Sequence, residues 1–323
     1  MRKVIGVALV LVVVILIVGL TLSLSLAPLP EHEDKNRSDS LPAGAVKWTP
    51  ALDQHPPVLH SDLWMEPVPL AGPVNTAGAE DSAFILPDGS ALYFFFTPDT
   101  SVEPQGQLFD GVTGIWRSDW NGVGWSESER VWLQDPGKLA LDGAAFILGD
   151  ELWFASAREG YTDVNLFTAR WSDGEWTDWS YAGDRLNEQL LVGEMHITAD
   201  GQRMYFHSER TGTLGGLDIW YMDKISGEWQ VPVNVQAVNT AGNEGWPFIS
   251  QDGNELWFTR TYQGSPGIFR SLMVNSSWTE AELVLSSFAG EPTMDQGGNL
   301  YFTHHYYQDS VMMEADIYVA YRK

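Results

Sequence analysis

Along the chain, one alternation of apolar and polar positions recurs five times. Each copy has an acidic opening, a short apolar run, a turn with glycine and a strand carrying aromatic residues. The inner parts read AEDSAFILPDGSALYFF from Ala79, LDGAAFILGDELWFAS from Leu141, GEMHITADGQRMYFHS from Gly193, NEGWPFISQDGNELWFT from Asn243 and GEPTMDQGGNLYFT from Gly290. Repeats of about 40 to 50 residues with several short strands are typical of propeller blades. The pattern therefore predicts an all-β protein, a five-bladed β-propeller.

The fourth strand of each repeat indicates how the ring closes. Four repeats begin this strand with a tryptophan: Trp125, Trp176, Trp229 and Trp278. The last repeat ends at Lys323 without one, but WMEPVPLAGPVNTAGAE from Trp64, ahead of the first repeat, matches WQVPVNVQAVNTAGNE from Trp229. A strand supplied from the N-terminal side would leave no free sheet edge at the junction. We therefore predict a propeller over residues 62–323 that is closed by an N-terminal strand.

The amino terminus predicts the compartment. Two basic residues precede an uncharged apolar run at 4–22, which is long enough to cross a bilayer as a helix. Because the apolar core of a cleaved signal has only about 7–15 residues, we expect 1–27 to be one transmembrane signal anchor, with cleavage and secretion as the alternative. The positive-inside rule then leaves the propeller outside the cytoplasm. Residues 28–61 mix proline, serine and charge without apolar periodicity and are predicted to be a flexible linker.

Composition narrows the classes of function. With 18 basic and 43 acidic side chains, the formal net charge is −25. This charge repels nucleic acid and anionic headgroups, so no nucleic-acid partner is expected. The chain has no cysteine, which excludes disulfides, thiolate metal sites and a lipid anchor on cysteine.

Each repeat opens with a carboxylate where the inner strand of a blade would begin. These acids are Glu80, Asp142, Glu194, Glu244 and Glu291. Five blades would place them around one mouth of the central channel, where like charges must be paired, hydrated, metal-bound or protonated with raised pKa values. Loops after the second strands would bring basic groups to the same face: Arg158, Arg210, Arg260 and His304. The recurrence of arginine favours a structural role in which each guanidinium pairs with the acid of its blade.

Two chemical alternatives apply to this mouth. Glycoside cleavage needs a carboxylic acid and a second carboxylate about 5–5.5 Å or 6.5–9.5 Å away, yet catalytic residues should break the repeat rather than follow it. The main asymmetric features are Glu194 with His196, and Asp81 beside Glu80. Carboxylates with carbonyls or water would suit Ca²⁺, and Glu194 with His196 would face one side of a strand as transition-metal ligands. The sequence has no Gly-rich phosphate loop, nucleophile elbow or helical zinc motif.

One stretch resembles a known family. The residues DIWYMDKISGEWQVPVNVQAVNTAGNEGWPFISQDGNELWFTR, from Asp218 to Arg260, are similar to the TolB-like propeller repeat. They carry its Asp-Ile-aromatic, Gly-x-Trp, Pro-x-Asn, Asn-Thr and Glu-x-x-Pro-x-x-Ser-x-Asp-Gly elements. The resemblance implies an exported scaffold that binds proteins or serves as an accessory module, and it transfers no catalytic residue.

These features predict a membrane-tethered, monomeric binding or scaffolding module outside the cytoplasm, with a protein or glycan ligand at the acidic mouth. The expected ligand-binding residues are the five acids, the three arginines, His196 and His304. The competing hypothesis is a carbohydrate-active enzyme, a glycoside hydrolase that uses the same carboxylates. No cofactor is predicted, with Ca²⁺ as the alternative.

Overall fold

The computed structural model of the chain describes residues 35–187 and 194–323. The predicted anchor at 1–27 lies outside these residues. Within the two described ranges, no helix combines the length and apolar character needed to span a bilayer. The helices there are a 3₁₀ turn at Ser38–Ser40 and two single-turn α-helices, α1 (Pro104–Gln107) and α2 (Asp184–Asn187). The remaining described residues form strands, turns and loops.

The strands follow the repeats of the sequence. Two short strands precede the first repeat: β1 (Val58–Leu59) and β2 (Val68–Pro69). The first two repeats contain β3 (Ala79–Ile85), β4 (Ala91–Thr97), β5 (Gly114–Asp119), β6 (Glu129–Arg130), β7 (Ala140–Leu148), β8 (Glu151–Arg158), β9 (Asn165–Ser172) and β10 (Glu175–Tyr181). The third contains β11 (Met195–Ile197), β12 (Arg203–Ser208), β13 (Asp218–Ile225), β14 (Glu228–Trp229) and β15 (Val233–Asn234). The last two contain β16 (Glu244–Ile249), β17 (Glu255–Tyr262), β18 (Ser265–Val274), β19 (Ser277–Trp278), β20 (Glu282–Ser286), β21 (Ala289–Met294), β22 (Leu300–Gln308) and β23 (Val311–Ala320).

Within each repeat, consecutive long strands pair antiparallel, as in the order β3-β4-β5-β6. Over residues 35–187 and 194–323 the pairings form four sheets, and the largest has eight strands because Ala315 of β23 makes one parallel contact with Ala79 of β3. The first strands of successive repeats also touch: β3 meets β7, β7 meets β11, β11 meets β16, β16 meets β21, and β21 meets β3. These contacts close a circle of inner strands around one axis.

The N-terminal strand β2 completes the last repeat, as the sequence match predicts. Val68 of β2 lies opposite Val319 of β23, just as Val233 of β15 lies opposite Tyr221 of β13 inside the third repeat. Trp64 begins the segment and is 1% exposed. Its indole packs edge-on against Trp257 with ring centroids 5.4 Å apart. The N-terminal segment therefore occupies the place of an ordinary outer strand.

A repeated asparagine binds each of these outer segments to its sheet. Asn75 accepts a 3.0 Å hydrogen bond from the backbone N–H of Ile317 and donates a 2.9 Å bond to its carbonyl. Asn239 makes the same two bonds with Ile219, both at 2.8 Å. The Asn-Thr-Ala-Gly-x-Glu phrase shared by 75–80 and 239–244 is thus a crossing from the outer edge of one sheet to the first strand of the next.

Part of the predicted linker is packed against the sheets. Val58 and Leu59 of β1 pair with Ser286 and Leu285 of β20. Arg37 is only 4% exposed. From residue 35 onward this segment therefore contributes to the fold, because its few polar side chains find partners on the first and last repeats.

Candidate functional site

Two of the expected arginine–acid pairs are present inside the sheets. Arg158 Nη2 lies 2.8 Å from Asp142 Oδ1, and Arg260 Nε lies 2.8 Å from Glu244 Oε1. Both carboxylates have no solvent exposure. Each guanidinium also stacks on an aromatic ring of its own sheet, at 4.2 Å from Phe167 in the case of Arg158. These pairs hold strands together, in agreement with the structural role predicted from their recurrence.

Glu80 has an arginine partner that the sequence did not indicate. Arg37, from the segment predicted as a linker, places Nη1 2.9 Å from Glu80 Oε1. Thr76 adds a backbone N–H at 2.9 Å and a hydroxyl at 2.6 Å to the same carboxylate. Thr240 binds Glu244 in the same way. The sequence did carry a signal for this contact, because the Asn-Thr-Ala-Gly-x-Glu phrase contains the threonine in both copies.

The five predicted acids do not form one equivalent ring. Three stand four residues before an inward-facing aromatic residue: Glu80 before Phe84, Asp142 before Phe146 and Glu244 before Phe248. Glu194 and Glu291 stand only two residues before the matching positions, His196 and Thr293. The inner strands β3, β7, β16 and β21 all have a register shift in this interval. Glu80, Asp142 and Glu244 stand before the shift, whereas Glu291 lies within it, between Gly290 and Thr293. A bulge redirects the side chains of its strand.

Residues in the bulges have left-handed backbone conformations. Ser82 of β3 has φ 49° and Glu291 of β21 has φ 57°. Glu291 thereby turns its carboxylate toward β3, where Oε2 accepts bonds of 2.7 Å from the backbone N–H of Ser82 and 2.7 Å from the hydroxyl of Thr303. This position brings the acid of the last repeat next to Asp81 of the first.

Asp81, Glu194 and Glu291 form what we call the central carboxyl cluster. Asp81 and Glu291 are each 3% exposed and Glu194 is half-buried. Burial, then repulsion from Glu291 and Glu194, holds the pKa of Asp81 well above its usual range. Burial and the charge of Glu291 raise the pKa of Glu194 as well, and burial raises that of Glu291. In the described part of the chain no arginine or lysine pairs with these three carboxyl groups.

One oxygen of this cluster is left free. Asp81 Oδ1 is buried and has no hydrogen-bond partner among the described residues. A buried polar atom without a partner costs about 1–3 kcal/mol, so a ligand that supplied a hydrogen bond there would recover that cost. No set of three or more His, Asp or Glu side chains within 35–187 and 194–323 has the arrangement of a metal site.

His196 lies beneath the cluster in an aromatic layer. Its ring is 4.5 Å from that of Phe146, 4.6 Å from Phe248 and 6.0 Å from Phe84. Burial lowers the pKa of His196 to about 3, so the imidazole is neutral at physiological pH. The layer borders a cavity of about 380 Å³ at the turn end of the inner strands, lined also by Gln251. His196 therefore belongs to the packed centre of the ring rather than to an open mouth.

His304 is also enclosed. Its Nε2 lies 2.8 Å from Asp53 Oδ2, and both side chains are at most 1% exposed. Asp53 belongs to the predicted linker, like Arg37. The structure therefore covers His304 with the N-terminal segment, whose pairing the sequence did not predict because charged residues in a proline-rich stretch carry no periodic signal.

Arg210 differs from the other two predicted arginines. Its Nη2 is buried, and no described residue accepts a hydrogen bond from it. Burial lowers its pKa to about 10, so the guanidinium remains charged at neutral pH. The expected pairing with an acid of its own repeat is wrong for this residue.

Comparison with known proteins identifies the fold. No protein-family model matches the chain, and no curated protein matches it. The solved structure of an endo-arabinase from Bacteroides thetaiotaomicron VPI-5482 is similar, with a TM-score of 0.52 and 14% identity over 79% of this chain and 97% of that one. TolB from Acinetobacter baumannii gives 0.44 and 12% over 77% of this chain, which spans 55% of the TolB chain. A GH62 hydrolase in complex with xylotriose gives 0.45 and 9% over 78% and 94%.

At such low identity the likeness concerns the fold alone. The chain is an all-β protein of the β-propeller type, as the repeats predict. Membership of the TolB-like repeat family in particular does not follow from these comparisons.

Proposed function

We propose that the chain is a five-bladed propeller, tethered to a membrane by its first residues with the propeller outside the cytoplasm, and that it binds a glycan at the central carboxyl cluster. The contact of β23 with β3 is a single residue pair, which supports counting the eight-stranded sheet as two blades. The unpartnered Oδ1 of Asp81 carries the binding proposal, since within the described residues it is the cluster's buried atom that lacks a hydrogen bond.

The chemistry of the cluster favours a ligand with hydroxyl groups. Carboxyl groups with raised pKa values include protonated members, which donate hydrogen bonds, and ionised members, which accept them. Vicinal hydroxyls of a sugar offer both a donor and an acceptor, so they match this mixture. The net charge of −25 opposes polyanionic ligands such as nucleic acids.

Binding is tested with the purified full-length chain in detergent on an array of glycans, followed by calorimetry on each ligand found. Asp81→Asn keeps the size of the side chain but replaces the carboxyl group with an amide, and we expect a loss of about 10-fold in affinity, the value of one hydrogen bond. The matched control is Glu159→Gln, which removes an exposed acid paired with Lys138 and should bind as the parent does. Glycan binding that survives Asp81→Asn unchanged, or no binding at all, contradicts the proposal.

A glycoside hydrolase is the second candidate, favoured by three carboxyl groups that have no arginine partner among the side chains that the structure describes. Cleavage requires a carboxylic acid with a raised pKa and a second carboxylate, and Asp81 and Glu291 supply such groups. The endo-arabinase with a similar fold suggests arabinan as the first substrate to try. Release of reducing sugar that falls about 10²-fold or more in Glu291→Gln would support catalysis. If a glycan binds and is then recovered without cleavage, the result would favour the binding module.

A further inference from the structure

Arg210 occupies the same position in its repeat as Arg158 does in the preceding one. Arg158 Nε donates to Ser156 Oγ at 2.9 Å, and Arg210 Nε donates to Ser208 Oγ at 3.1 Å. The two guanidinium groups also stack on matching rings: Arg158 over Phe154 and Phe167, and Arg210 over Phe206 and Trp220. The two side chains are therefore held in the same place by the same contacts.

The difference between them is one carboxylate. Nη2 of Arg158 donates to Asp142 Oδ1 at 2.8 Å. Nη2 of Arg210, the equivalent atom, is buried and lacks a partner throughout the described ranges. In the sequence, Asp142 stands four residues before Phe146, whereas a valine, Val192, stands four residues before His196. The third repeat thus keeps the arginine, its serine and its aromatic rings, but its sequence has a valine where that of the second repeat has the acid.

A half-buried Arg210 side chain without a carboxylate partner lowers the stability of the folded protein. A half-buried guanidinium that lacks a carboxylate loses hydration without recovering it in an ion pair. The same arrangement is favourable for binding, because the planar fork is already positioned to pair with a carboxylate. Repeat symmetry is broken here: Arg210 keeps the contacts of Arg158, but its Nη2 has no carboxylate partner among the described residues.

We propose that Arg210 is a subsite for a carboxylate group of the ligand, so that the glycan bound at the central carboxyl cluster is an acidic sugar. The inference rests on the proposed glycan-binding function. Met195 pairs with Phe206, so Glu194, which precedes Met195, and Arg210, which follows the end of β12, lie at the same end of this repeat. A uronic acid presents hydroxyls and one carboxylate on a single ring, which matches the two kinds of group.

The experiment compares D-galacturonate with D-galactose, which lacks the carboxylate, by calorimetry on the full-length chain in detergent. We expect galacturonate to bind about 10-fold or more tightly, the ratio that one charge-assisted hydrogen-bonded pair provides. Arg210→Gln should reduce this ratio to near one. The control Arg170→Gln, which removes an exposed arginine paired with Asp150, should preserve it. Thermal unfolding of both variants establishes that they are folded.

The outcomes separate the two proposals. If the parent chain binds both sugars equally, the carboxylate subsite is overturned and glycan binding stands. If it binds neither sugar, the glycan proposal is contradicted. An acetate titration followed by the NMR signal of the Arg210 Nε–H then tests the subsite by itself. A saturable shift that persists in Arg170→Gln supports it, and an unmoved signal overturns it; the absence of the signal from Arg210→Gln confirms only its assignment.

Discussion

The closure of the ring by the N-terminal segment leads to a quantitative prediction about Asn75. Its side chain bonds both the N–H and the carbonyl of Ile317, a residue with no solvent exposure. Asn75→Ala leaves the buried N–H of Ile317 without a partner, whereas the Ile317 carbonyl keeps a 2.8 Å hydrogen bond from the backbone N–H of Leu70. With one orphaned group, the free energy of unfolding should fall by about 1–3 kcal/mol.

Asn239 provides the matched comparison. It makes the same two bonds to Ile219, which is also fully buried. The sequence separation is only 20 residues for Asn239 and Ile219, against 242 for Asn75 and Ile317. Asn239→Ala should therefore cost a similar amount without touching the junction between the two ends of the chain.

The assay is urea unfolding followed by tryptophan fluorescence, with the free energy taken from the midpoint and the slope m. Equal losses for the two variants indicate that the N-terminal strand is paired in solution as firmly as an internal strand. If Asn75→Ala stays within about 0.5 kcal/mol of the parent, as distant surface changes do, while Asn239→Ala loses stability, the strand is not paired and the closure argument is refuted.

Three further predictions concern the core and the carboxyl groups. Arg260→Gln leaves the buried Glu244 without its counter-ion and should cost about 3–5 kcal/mol in urea unfolding; a loss below 1 kcal/mol would argue against a structural pair. Trp64→Ala removes a ring packed on Trp257 and should cost about 3–5 kcal/mol, measured in the same way. Because the pKa of Asp81 is raised in the folded state, the folded protein retains a proton that the unfolded chain loses above about pH 4, and stability should fall as pH rises through the raised pKa. Thermal melts across pH should show a shallower fall for Asp81→Asn, and an unchanged slope would contradict the assignment.

The arginine–acid pairs show how much of the structure the sequence repeats can predict. The pairs of Arg158 and Arg260 were predictable because both members repeat at similar offsets within one repeat. The partner of Glu80 was not predictable, since Arg37 lies 43 residues away in a stretch without periodicity. Recurrence likewise suggested a partner for Arg210, and there it misled, because the contacts of the arginine were retained while the acid was not.

The all-β fold, the order of the strands and the origin of the closing strand were predictable from the amino-acid sequence. These features follow from alternation, turn residues and matching phrases, which are local properties of the chain. Which carboxyl groups share the centre of the ring depends instead on the three-dimensional packing of the repeats. Backbone bulges bring Asp81 of the first repeat beside Glu291 of the last, 209 residues after Ser82 to which Glu291 bonds, and a contact between distant segments depends on packing that no local pattern encodes.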